Sequence, residues 1–219
     1  MQQAHYRALV MVVIYLILRF LGGSFGQLIL YPVTLLVTFL HELGHALGAL
    51  LTGGTVEGLQ IAPDGSGYTT TRGGNAAIIL MGGYLGSAVL GNVLFYIGVR
   101  KKTMTDLTLK VLAGLMAFSG IVWFESFTST GLQFAFAASL WLIASRTNWD
   151  QDLLMFLGLA AVLYIIQDFR VGPQSDLARY EQVVGIFPAQ IWTYIWLGLA
   201  AVLFYFNLRQ IFGRRLFKV

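Results

Sequence analysis

His41-Glu42-Leu43-Gly44-His45 lies inside residues 28–51, a stretch in which Glu42 is the only carboxylate and no lysine or arginine occurs. Its histidines are four residues apart, one helical turn, so both imidazoles project from one face and can bind a single zinc ion. The carboxylate beside the first is left free to act as a base. The stretch exceeds the roughly 20 apolar residues that a bilayer crossing needs. The alternative is that the three residues form a buried polar packing network. Ionisable groups at a helix centre cost roughly 2.5–3.5 kcal/mol each on insertion scales, so they persist mainly where they have partners or a task. Metal binding at membrane depth is therefore the favoured reading, with one Zn2+ per chain.

Composition points the same way. The chain is 57% hydrophobic and 11% charged, with mean hydropathy +0.73, far from the roughly 25% charged residues of soluble domains. It reads as an integral multi-pass membrane protein. There is no cysteine, so disulfides, thiolate metal sites and thiol nucleophiles are excluded and the possible ligands are His, carboxylates and water. The net charge of +4 comes from basic residues between apolar runs and at the C-terminus, which suits loops facing anionic lipid better than nucleic acid.

Seven apolar runs, at about 8–21, 28–51, 76–99, 107–125, 127–145, 153–169 and 189–208, imply an all-α polytopic fold of about seven transmembrane helices, within a range of six to eight. The whole chain, 1–219, reads as one integral membrane domain. The first run lacks a small-residue cleavage site and reads as a retained helix. A single helix over 107–145 would be about 58 Å long, too long for one crossing, so two helices joined near Glu125-Ser126 are expected.

Two interruptions matter. Residues 55–72 alternate around Pro63-Asp64-Gly65, the signature of a β-hairpin. A lone hairpin is marginal, so it must dock on the end of the motif helix, where an unpaired edge can accept an extended peptide. In the second, Ser175 is a plausible N-cap for the amphipathic stretch 177–184. Zinc needs a third protein ligand, and the candidates are carboxylates expected on one membrane face. Asp168 ends an apolar run where an unpaired acid is costly and is the first choice. Asp176 is the alternative, and Glu125 is third. Gly44 and Gly48 on one helix, with Gly82, Gly86, Ser87 and Gly91 on another, imply close packing of 28–51 against 76–99. That packing would bring Ser87 or Asn92 toward the site.

Together, the His-Glu-Leu-Gly-His helix, Thr52-Gly53-Gly54, the β segment with Ala62-Pro63-Asp64-Gly65-Ser66-Gly67, the Gly-rich helix and a late Ser175-Asp176 followed by Pro188, Trp192 and Trp196 resemble the small polytopic branch of the site-2 protease group of zinc metallopeptidases. The resemblance covers about 28–200. It implies that His41 and His45 are zinc ligands and Glu42 the general base of an intramembrane endopeptidase acting on membrane protein or peptide substrates. Better-known members carry their aspartate in an Asp-Gly motif of a late helix. No such motif stands in a late helix here, and Asp64-Gly65 lies in the hairpin. The small branch typically has a late Asp and a Ser-Asp pair, which Asp168 and Ser175-Asp176 match without choosing between them. The reading from another class is a non-enzymatic metal-binding scaffold or carrier. With seven spans, ten of the fourteen basic residues fall on the C-terminal face, which puts the C-terminus in the cytoplasm and the hairpin outside. Better-known members place the β element on the cytosolic side, the opposite sense.

Overall fold

The computed structural model describes residues 2–167 and 175–213. In chain order they form α1 (Gln2–Phe20), α2 (Gly23–Leu51), β1 (Thr55–Ile61), β2 (Gly67–Arg72), α3 (Ala76–Arg100), α4 (Thr105–Val122), α5 (Phe127–Arg146), α6 (Asp150–Gln167), α7 (Asp176–Val184) and α8 (Ala189–Phe212). Six of these helices are long and apolar enough to cross a membrane: α2, α3, α4 with the short turn before it, α5, α6 and α8. The apolar run 8–21 falls in α1, which is not among the six. The architecture is the expected all-α polytopic one with a two-stranded hairpin. The division of 107–145 is also as expected, because Ser126 caps α5 by accepting from the Ser129 amide and ends any continuation from α4.

The motif helix begins at Gly23, five residues before the apolar run. Its 29 residues rise about 44 Å, more than the roughly 30 Å of a hydrocarbon core. His41 is ten residues, or about 15 Å, from the C-terminal end Leu51. The histidines therefore sit well below that end of the helix.

The hairpin does not dock on the end of α2 as expected. It runs back along it. Thr38 Oγ1 donates to Gly65 O at 2.6 Å and Tyr31 Oη to Pro63 O at 2.7 Å, so the turn lies some twenty residues down the helix from the point where the strands begin. Seven strand residues span about 23 Å, comparable to that depth. Non-helical backbone at membrane depth is tolerated only where protein covers it or a cavity solvates it, and both occur here. On one edge, Leu59 N donates to Trp123 O at 2.9 Å and Ile61 N to Ser129 Oγ at 2.8 Å, which seals β1 against the α4–α5 turn. The turn closes through Gly65 at φ +85°, with Asp64 Oδ1 accepting from the Ser66 amide and hydroxyl. The register shifts between Val56 and Gly58, where Glu57 is the extra residue of β1; Glu57 is exposed and pairs with Arg72 at 2.6 Å.

Helices α2 and α3 touch backbone to backbone, as the small residues foretell. A Cβ on Gly44 would overlap the Gly82 carbonyl, and one on Gly48 would lie 2.9 Å from Ile79 Cα. Here α3 widens into a π-turn over Gly82–Gly86, a distortion that recurs at functional sites. Ser87 and Asn92 do not reach the site. Ser87 Oγ donates to Gly83 O at 2.6 Å, and Asn92 is paired with Asn207 of α8 at 2.8 Å.

Candidate metal centre

His41 and His45 leave α2 on the face that α3 approaches, with Nε2 atoms 3.1 Å apart. Asp176 Oδ2 lies 2.9 Å from His41 Nε2 and 3.1 Å from His45 Nε2. Among the described residues this is the group of His and acidic side chains that can hold a metal ion. The spacing fits: three ligands about 2.0–2.1 Å from a tetrahedral ion stand about 3.3 Å from one another. The ring orientation fits as well. His45 Nδ1 lies 2.7 Å from Ile79 O, and a carbonyl can only accept, so Nδ1 carries a proton and Nε2, turned toward His41 and Asp176, is the nitrogen available to a metal.

Asp176 reaches the histidines because of how α7 is held. Ser175 caps the helix by accepting from the Ala178 amide, and Gly185 ends it in the left-handed conformation, so Asp176 stands at the first helical position. Leu177 and Tyr180 of the same helix are buried. Tyr180 packs edge-on against Trp192 and Trp196, each 4.8 Å away between ring centres. Glu181 Oε2 accepts from the Ala189 amide at 2.9 Å, which fastens α7 to the start of α8. Burial alone would raise the Asp176 carboxyl pKa, yet hydrogen bonds to His41 and His45 and their charge hold it well below the usual carboxylate range. An ionised carboxylate is the form that could bind a metal ion.

Asp168 lies outside the described residues. Glu125 is engaged elsewhere: its Oε1 accepts from Tyr68 Oη at 2.9 Å and its carboxylate packs against Gly58. Tyr84, which composition alone does not single out, stands edge-on to the His41 ring at 4.8 Å.

A cavity of about 760 Å³ opens over His41, Glu42, His45 and Asp176, with β2 forming one wall through Gly67, Tyr68, Thr69 and Thr71 and α7 another. Glu42 is 4% exposed and borders both this cavity and a smaller one of about 170 Å³ reached past Thr38 and Tyr164. Water thus has room beside the carboxylate.

Gly83 lies directly against the two histidine rings. A Cβ there would lie 2.5 Å from His45 Cε1 and 2.7 Å from His41 Cε1. Gly83→Ala is expected to tilt both rings and weaken metal affinity about 10- to 100-fold, the range found when groups orienting ligands are lost. Competition against a chelator measures it, and unchanged affinity would show that the rings yield without cost.

The model of the Peptidase M50B-like family matches residues 6–207. The chain belongs to the Peptidase M50B-like family. No curated protein and no solved structure matches it. Membership places this M50B-like chain among membrane metallopeptidases, and with six candidate spans among the described residues it is an integral multi-pass membrane protein. The M50B-like match includes both the motif helix and α7, the two elements whose side chains converge.

Proposed function

We propose that the chain is a zinc-dependent intramembrane endopeptidase in which His41, His45 and Asp176 hold the metal and Glu42 is the general base. The observation that carries this is the convergence of two imidazole nitrogens and one carboxylate oxygen about 3 Å apart, with a fourth ionisable group, Glu42, adjoining them in one cavity. A zinc ion held there supplies Lewis acidity toward a peptide carbonyl and brings the pKa of a water to about 7. Glu42 accepts the proton of the attacking water and returns it to the departing amine nitrogen. Asp176 and His45 act by keeping their lone pairs aimed at one point, the first through the cap on α7, the second through Ile79 O.

A transmembrane helix keeps its carbonyls in intrahelical hydrogen bonds, so the scissile segment must be extended before attack. β2 supports an extended substrate: among the described residues the sheet has two strands, β1 is sealed by the α4–α5 turn, and β2 lines the cleft. Peptide added along β2 would run past the metal ligands by β-augmentation. The positive-inside count favours a cytoplasmic C-terminus.

The test uses protein purified in detergent. About one zinc per chain is expected, together with cleavage of transmembrane peptides that a chelator abolishes and zinc restores. A zinc-loaded protein that cleaves nothing would favour the metal-binding scaffold reading, and a zinc-free one after supplementation would overturn the metal centre itself.

A further inference from the structure

We infer that Thr69 of β2 is a positioning residue that ties the alignment of the base to the strand lining the cleft. The inference rests on the reading of Glu42 as base. Thr69 Oγ1 lies 2.7 Å from Glu42 Oε2 and 3.1 Å from the Glu42 main-chain oxygen. Both are acceptors, so the hydroxyl is the donor, and its bond to a carboxylate is charge-assisted. Glu42 has little solvent contact. A buried carboxylate depends on protein donors for its orientation, and Thr69 supplies the side-chain hydrogen bond that Glu42 has among the described residues. With Oε2 held, Oε1 remains for the proton of the attacking water.

The hairpin is shaped to deliver this hydroxyl. Alternate residues of a strand share a face, so Gly67 and Thr69 both face α2. A Cβ on Gly67 would lie 2.9 Å from Glu42 Cγ and 2.7 Å from Thr38 Cγ2; its absence lets β2 lie flush on the helix. Across the hairpin Thr69 pairs with Leu59, whose amide is bonded to Trp123 O. Two residues on, Ile61 is bonded to Ser129, which accepts from Gln133 Nε2 at 3.1 Å, while Ser119 donates to Gln133 Oε1 at 2.5 Å. All three of those polar side chains are buried. β1 is therefore moored to α4 and α5, and β2, registered on β1, carries the hydrogen bond to the base. A peptide laid along β2 bears on the same strand that aligns Glu42, so filling the cleft and aligning the base are linked through one residue.

Thr69→Val keeps the branched shape and removes the donor. It is expected to lower kcat about 10- to 100-fold, as small misplacements of catalytic groups do, while KM stays within about twofold. Zinc content and thermal unfolding should match the parent. Thr69→Ser keeps the hydroxyl and should hold kcat within about threefold of the parent. Thr69→Ala provides the same split should the valine variant not accumulate in the membrane. Unchanged kcat in Thr69→Val overturns the inference. So does a loss confined to KM, which would assign Thr69 to substrate alone, or a serine variant as impaired as valine, which would assign the effect to the methyl group. A zinc-loaded parent that cleaves no transmembrane peptide removes the peptidase reading and this role with it; an active parent beside an unaffected Thr69→Val removes the role only.

Discussion

Glu42→Gln is expected to bind zinc like the parent and to lose peptide hydrolysis by about 10²- to 10⁴-fold, the range that a positioned general base contributes. The substitution keeps volume and shape in a site where Glu42 is buried, and glutamine still accepts from Thr69 through its amide oxygen. What it removes is the capacity to take a proton. Since the three proposed ligands are His41, His45 and Asp176, metal content should not change. Zinc analysis paired with a transmembrane-peptide assay separates the two effects. Hydrolysis retained in a fully zinc-loaded Glu42→Gln would assign the base elsewhere, and loss of zinc would make Glu42 part of the coordination instead.

The second large effect concerns the third ligand. Asp176→Ala is expected to weaken zinc affinity by more than about 100-fold, since losses of groups that only orient ligands already cost 10–100-fold. The carboxylate is the single acid within reach of both histidine nitrogens among the described residues, and without it two nitrogens remain where zinc requires three protein ligands. Ser175→Ala separates the ligand from its helix. It leaves the carboxylate in place and removes a cap worth about 1 kcal/mol, so affinity should fall far less. Asp168→Asn is the decisive companion, because its position at the end of an apolar run makes it the rival by membrane energetics alone. Chelator competition on all three variants orders them. Asp168→Asn losing the metal while Asp176→Ala keeps it would reverse the assignment.

The contrast between those two acids shows where reading the chain by itself succeeds. The motif helix was legible because its signal is local: two histidines at i and i+4 share a face whatever surrounds them, and uninterrupted apolar flanks define the depth. The hairpin was legible for the same reason, since Pro63-Asp64-Gly65 between alternating segments specifies a turn without reference to the rest of the molecule. The cap at Ser175 and the glycine contacts between α2 and α3 also follow from short-range chemistry.

Asp176 is different. In the sequence it stands in a polar interruption, where an acid costs little and signals little. It meets His41 and His45 across 135 and 131 residues only because Tyr180 is clamped by Trp192 and Trp196 and Glu181 fastens α7 to α8. The hairpin's course is a second case: its turn chemistry was readable, but its descent along α2 rests on Tyr31, Thr38 and Thr69, residues that look like ordinary polar punctuation until they find acceptors. The sequence alone thus determined the membrane class, the helix carrying His41, Glu42 and His45, and the presence of the hairpin, because periodicity, turn chemistry and hydropathy act over a few residues. Which acid among the described residues comes to the histidines, and which strand comes to Glu42, was decided by the tertiary structure, because contacts between distant segments depend on packing that no local pattern encodes.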